Sequence, residues 1–148
     1  MNPDSNLTAL ARNNRTCMIA HTATAGVMLL LLFLQAATRG INPAVLTISC
    51  ILGIAPVAAE LLYWKKNHET TAIRHLVGNG FAVFFTFYIY TSTTFMASVF
   101  VIPMIVVISL YNNKKFSLLV NTGVVIETII LAVIGIQSGK YAYPDSDT

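Results

Sequence analysis

Five long apolar runs, joined by connectors of a few polar residues each, dominate this chain of 148 residues. The runs are Cys17 to Thr38, Pro43 to Trp64, Leu76 to Tyr90, Phe95 to Tyr111 and Phe116 to Gln137. Only 10% of the residues are charged and 55% are hydrophobic, with a mean hydropathy of +0.69. Soluble domains carry about 25% charged residues, so this chain cannot cover an aqueous surface. Lipid as the surrounding solvent removes the difficulty. A run of about 20 apolar residues spans the hydrocarbon core as a helix.

The third and fourth runs are rich in β-branched and aromatic residues, which favour strands in water. They lack the alternation that a membrane barrel strand needs. In lipid the backbone must satisfy its own hydrogen bonds within the segment, which makes each run a helix. The expected fold is an all-α membrane protein, a bundle of five transmembrane helices. Residues 1–16 read as a polar cytoplasmic tail, 17–137 as the membrane domain and 138–148 as an extracytoplasmic tail. The first run reads as a span and not as a removed leader. It is long enough to cross. Leu34-Gln35-Ala36 also lacks a small residue at the first position of a cleavage site.

The connectors carry local signals. In Arg39-Gly40-Ile41-Asn42-Pro43, Gly40 suits a helix end, Asn42 a cap and Pro43 the first turn of the next helix. Tyr63 and Trp64 stand where an interfacial aromatic belt belongs. Lys65 to His75 is the most polar interior segment and reads as a loop holding solvated His68 and His75. Thr91 to Thr94 and Asn112 to Lys115 read as tight turns. With five crossings, Arg12, Arg15, Lys65, Lys66, Arg74, Lys114 and Lys115 fall on one side of the membrane. Only Arg39 and Lys140 fall on the other. This bias places the N-terminus in the cytoplasm and the C-terminus outside.

Glu127 lies near the middle of the fifth run, where a carboxylate is costly and marks a functional hypothesis. Either it bonds a neighbouring helix or dimer mate, or it couples to an ion or proton. Asn121 lies six residues before it on the same helix. Glu60, one turn before Trp64 and Lys65, reads as a carboxylate that snorkels to a Lys or Arg at the interface. His21 reads as a polar packing residue in the first helix. Pro56 and Pro103 each fall inside a run. There a proline frees the carbonyl of Leu52 or Val99 and bends its helix. Gly78, Gly80, Ala20, Ala23, Thr24 and Gly26 permit close helix approach. Cys17 and Cys50 read as small apolar space-fillers.

No phosphate-binding, dinucleotide-binding, zinc-protease or nucleophile-elbow motif is present. No polar segment is long enough for a catalytic domain. The expectation is therefore no enzyme, no cofactor, no metal and no nucleic-acid partner. The lipid bilayer and a second copy of the chain are the expected partners.

Several segments carry a resemblance. They are Lys65-Lys66-Asn67-His68-Glu69-Thr70, Ile73-Arg74-His75, Gly80 through Phe87, Phe100-Val101-Ile102-Pro103-Met104 and Leu110-Tyr111-Asn112-Asn113-Lys114-Lys115. From about Ala58 to Gln137 the chain resembles the N-terminal membrane region of a class of bacterial methyl-accepting chemotaxis proteins. Similar regions also precede diguanylate cyclase domains. The resemblance implies a homodimeric receptor module in the bacterial cytoplasmic membrane, passing a stimulus to a cytoplasmic signalling coiled coil and a chemotaxis kinase. It supplies no ligand residues. The family pattern also calls for a sixth helix before the signalling domain, and the expectation is that the chain stops short of it. The alternative from the residues alone is a small carrier or channel subunit using Glu127, or an accessory membrane subunit.

Overall fold

A computed structural model describes residues 8–91, 99–111, 114–137 and 139. The described residues form five helices and no strand: α1 (Ala9–Arg39), α2 (Pro43–Lys66), α3 (Ala72–Thr91), α4 (Val101–Ser109) and α5 (Lys114–Gln137). Four of them, α1, α2, α3 and α5, are long and apolar enough to cross a membrane. The outer tails with Lys140, residues 92–98 and the Asn112-Asn113 turn lie outside the described residues.

The first connection forms as its residues dictate. Gly40 ends α1 at φ 73°, and its N–H donates to the carbonyl of Ala36. The Asn42 side chain accepts from the N–H of Ala44 at 2.9 Å, and Pro43 opens α2. Helix α2 continues unbroken through Pro56 to Lys66.

Three boundaries differ from the sequence reading. Helix α1 begins at Ala9, so residues 9–16 are not tail. Thr8 caps it by accepting from the N–H of Ala11. The amide of Asn13 donates to the carbonyl of Leu110, and that of Asn14 to the carbonyls of His68 and Thr70. These polar side chains stay helical because other segments supply their acceptors. Helix α1 has 31 residues. At the usual rise it is about 46 Å long. Its polar start therefore projects beyond a hydrocarbon core of about 30 Å.

The second difference is α3, which starts at Ala72 and so takes in His75. His75 is exposed on α3 and packs edge-on against Phe116, while His68 stays exposed in the connection with its ring edge-on to Trp64. The third is α4, which is short and is preceded by a 3₁₀ turn at residues 99–100. Its regular part spans about 14 Å. Pro103 is therefore the third residue of α4, within its first turn. Residues 92–98, which hold the start of the expected fourth run, lie outside the described residues.

The bundle is built around α3. Phe81, Phe84 and Phe85 are fully buried, against Met28 and Leu32 of α1 and Met104 and Ile108 of α4. Glycines set the approach of α3 to its neighbours. A Cβ on Gly53 would stand 3.1 Å from Phe84, and one on Gly78 would stand 2.9 Å from Phe116. Outside, the surface is apolar: Leu119 is 75% exposed, Ile136 69% and Leu62 68%. Inside, Asn14, His21, Ser49 and Glu60 are each fully buried. An apolar exterior around a partly polar interior belongs to a multi-pass membrane protein.

Hydrogen bonds gather one end of the bundle. Asn13 reaches the end of α4, and Asn14 reaches the α2–α3 connection. The Arg74 guanidinium lies 4.9 Å over the ring of Phe116 at the start of α5. The helices thus alternate in direction. Arg12, Arg15, Lys65, Lys66, Arg74, Lys114 and Lys115 cluster at this end, and Arg39 stands at the other.

Candidate intramembrane polar site

On α1 the fully or nearly buried positions are Ala11, Asn14, Met18, His21, Ala25, Met28 and Leu32, with Cys17 beside them. Their alternating spacing of three and four is the stripe by which a helix meets its neighbours. Asn14 and His21 belong to that stripe. On α2 the buried positions Ser49, Gly53 and Glu60 likewise share one face. The stripes meet. His21 Nδ1 and Glu60 Oε1 are 2.6 Å apart, with both side chains completely buried.

Glu60 lies roughly 9 Å along the helix axis before Lys66. It does not snorkel to an interfacial cation. Its face of α2 is turned inward, and the partner within hydrogen-bond distance is His21. This corrects the expected interfacial pairing. The pocket around the imidazole is apolar and close: Phe81 meets it edge-on at 6.3 Å. A Cβ on Gly80 would come within 3.5 Å of its Cε1.

With His21 Nε2 protonated, one further proton held between the two atoms leaves the pair neutral overall, whichever atom carries it. A second proton, or none, would leave a net charge where compensation is poor. The second polar atom of each residue, His21 Nε2 and Glu60 Oε2, is buried and has no hydrogen-bond partner among the described residues. The site can therefore hold a proton between the two residues and offers two further buried polar atoms. No group of three His, Cys, Asp or Glu side chains arranged for a metal occurs among the described residues.

The other candidates are not gathered here. Asn121 bridges α5 to α4: its amide donates to Ser117 Oγ at 3.1 Å and to Ser109 Oγ at 3.4 Å. Glu127 is half-buried, with Oε1 buried and without a partner among the described residues. It stands roughly 20 Å along α5 from Lys114, deep in the span. Pro56 lies against Gly80 at the α2–α3 contact.

Sequence reasoning missed Asn14, assigned to the tail, and missed that His21 and Glu60 are partners. A signal for Asn14 was present. The three-four stripe through His21 extends backwards without interruption to Asn14 and Ala11. No family model matches the chain, no curated protein matches it, and no solved structure matches it.

Proposed function

We propose that the chain is the membrane-embedded sensory and signal-transducing region of a chemoreceptor-like protein. It sits in the bacterial cytoplasmic membrane with its basic end in the cytoplasm and its C-terminus outside. In this reading the apolar run 95–111, whose first residues lie outside the described ones, is the fifth crossing, and the region works as a homodimer ahead of a cytoplasmic domain that controls a chemotaxis kinase. The observation that carries the reading is the buried 2.6 Å contact between His21 and Glu60. An ionisable pair inside a membrane bundle is expensive to keep, which favours a functional reason for it. It ties α1 to α2 at one point, so a change in its protonation or bonding shifts one helix against the other. Among the described residues, the outer connection 40–42 is too short to form a pocket outside the bilayer. The stimulus is then something met in the membrane or at its surface.

A chimera tests this. The chain is joined through one further transmembrane helix to the signalling domain of a methyl-accepting receptor, and kinase control is read in cells. Kinase output that Glu60→Gln and His21→Gln each shift from the parent level supports the reading. Output identical in the parent and both variants overturns it.

Glu127 favours a second reading, a small carrier or channel subunit, because one of its carboxylate oxygens is buried without a partner among the described residues. Proton or cation flux into liposomes that Glu127→Gln abolishes would select it. Absence of flux in both would remove it.

A further inference from the structure

A groove of about 730 Å³ runs between α2 and α3. Its walls are Ala55, Pro56, Ala59 and Tyr63 on α2, and His75, Asn79 and Gly80 on α3. Small residues create it. The helices touch at Pro56 and Gly80, and the alanines on either side leave a furrow facing outward. From Ile51 to Tyr63 its α2 wall rises roughly 18 Å. That is close to the depth of one leaflet in a hydrocarbon core of about 30 Å.

The mouth is cationic. The wall positions Leu52, Pro56, Ala59 and Tyr63 are spaced by four, three and four, and three more positions reach exposed Lys66. Arg74, whose guanidinium lies over Phe116, brings its Nη2 to 3.5 Å from Nε2 of the groove residue His75. Among the described residues of the connection 67–71, Glu69 is the acidic side chain opposing them. One turn inside the mouth from His75, the amide of Asn79 stands exposed on the apolar wall. At that depth an exposed amide calls for a polar partner.

We propose that this groove binds one anionic phospholipid of the leaflet at the basic end. An acyl chain lies along Ala55, Ala59 and Gly80. The glycerol ester region meets the Asn79 amide, and the phosphate sits at Lys66 and His75. Clustered lysine and arginine at a groove between helices attract anionic head groups. A zwitterionic lipid brings its own cation to the same cluster and gains less. The inference requires that the chain span the membrane and stands apart from the sensory reading.

The experiment is a titration of the full chain, purified in detergent, with phosphatidylglycerol or with phosphatidylcholine of identical acyl chains. Intact complexes are counted by native mass spectrometry. The first phosphatidylglycerol is expected to bind at least about fivefold more tightly than phosphatidylcholine. Lys66→Gln should weaken phosphatidylglycerol about fivefold and leave phosphatidylcholine unchanged. Ala59→Phe, which fills the furrow, should weaken both lipids. If that variant does not fold, Asn79→Leu serves on the exposed wall and should also weaken both. Equal binding of the two lipids overturns the proposal. So does a phosphatidylglycerol preference that Lys66→Gln leaves intact, or lipid binding that the folded groove variant does not weaken.

Discussion

Pro56 of α2 occupies the space that a side chain on Gly80 of α3 would need: a Cβ built on Gly80 stands 2.5 Å from the Cβ of Pro56. Both atoms are rigidly attached to their backbones, so neither can swing aside. Gly80→Ala must push α2 and α3 apart. The same contact floors the groove and lies beside His21, so the displacement reaches both sites.

Gly80→Ala is therefore expected to destabilise the bundle by about 1–3 kcal/mol, the usual range for overpacking. Gly123→Ala is the control, because nothing lies within 4 Å of the Cβ it would add. It should be neutral or slightly stabilising, since alanine is the better helix former. Denaturant-induced unfolding in detergent measures both. Equal stability of the two variants would contradict the close approach of α2 and α3.

Removing one member of the buried pair should be far worse than removing both. Glu60→Leu or His21→Leu leaves the other polar group buried and uncompensated, a loss of about 3–5 kcal/mol. His21→Leu combined with Glu60→Leu fills the space with apolar side chains and should recover most of that loss. The double-mutant cycle reads the coupling directly. Additive losses would mean that the two residues do not act on each other.

Asn14 holds the α2–α3 connection to α1 by donating to two carbonyls, those of His68 and Thr70. Asn14→Leu should strand those acceptors and cost about 1–3 kcal/mol. Faster amide hydrogen exchange is expected at residues 67–71, with α5 unaffected. Unchanged exchange there would show that the connection does not depend on Asn14.

Membrane sidedness is checked with single cysteines in a background where Cys17 and Cys50 are replaced. Glu69→Cys, in the α2–α3 connection, should react with an impermeant thiol reagent only from the cytoplasmic side. Ile41→Cys, in the α1–α2 connection, should react only from outside. The reverse pattern would overturn the orientation drawn from the seven clustered cations.

The four spans were legible because they are local sums, although α1 and α3 start earlier than their apolar runs. Enough apolar residues in a row make α1, α2, α3 and α5 long enough to cross. Gly40, Asn42 and Pro43 act on their own backbones, so the first turn forms as read. Lysines and arginines mark helix ends wherever the helices pack, so their gathering at one end followed from counting. Helix α4 was less legible. Its apolar run is continuous, yet regular α-helix over the described residues covers Val101–Ser109, with a 3₁₀ turn before it at residues 99–100.

The sequence by itself determined a chain for lipid, its apolar helices, and which ends carry the cations. Only the tertiary structure decided which face of each helix turns inward, and so that Glu60 meets His21 and that Asn14 is interior. The physical reason is the solvent. In water, a polar face shows which side of a helix is outside. Here the lipid-facing side is as apolar as the core, so contrast along a helix does not give its rotation. Packing set that rotation through the glycines at 53, 78 and 80, which let particular faces come close.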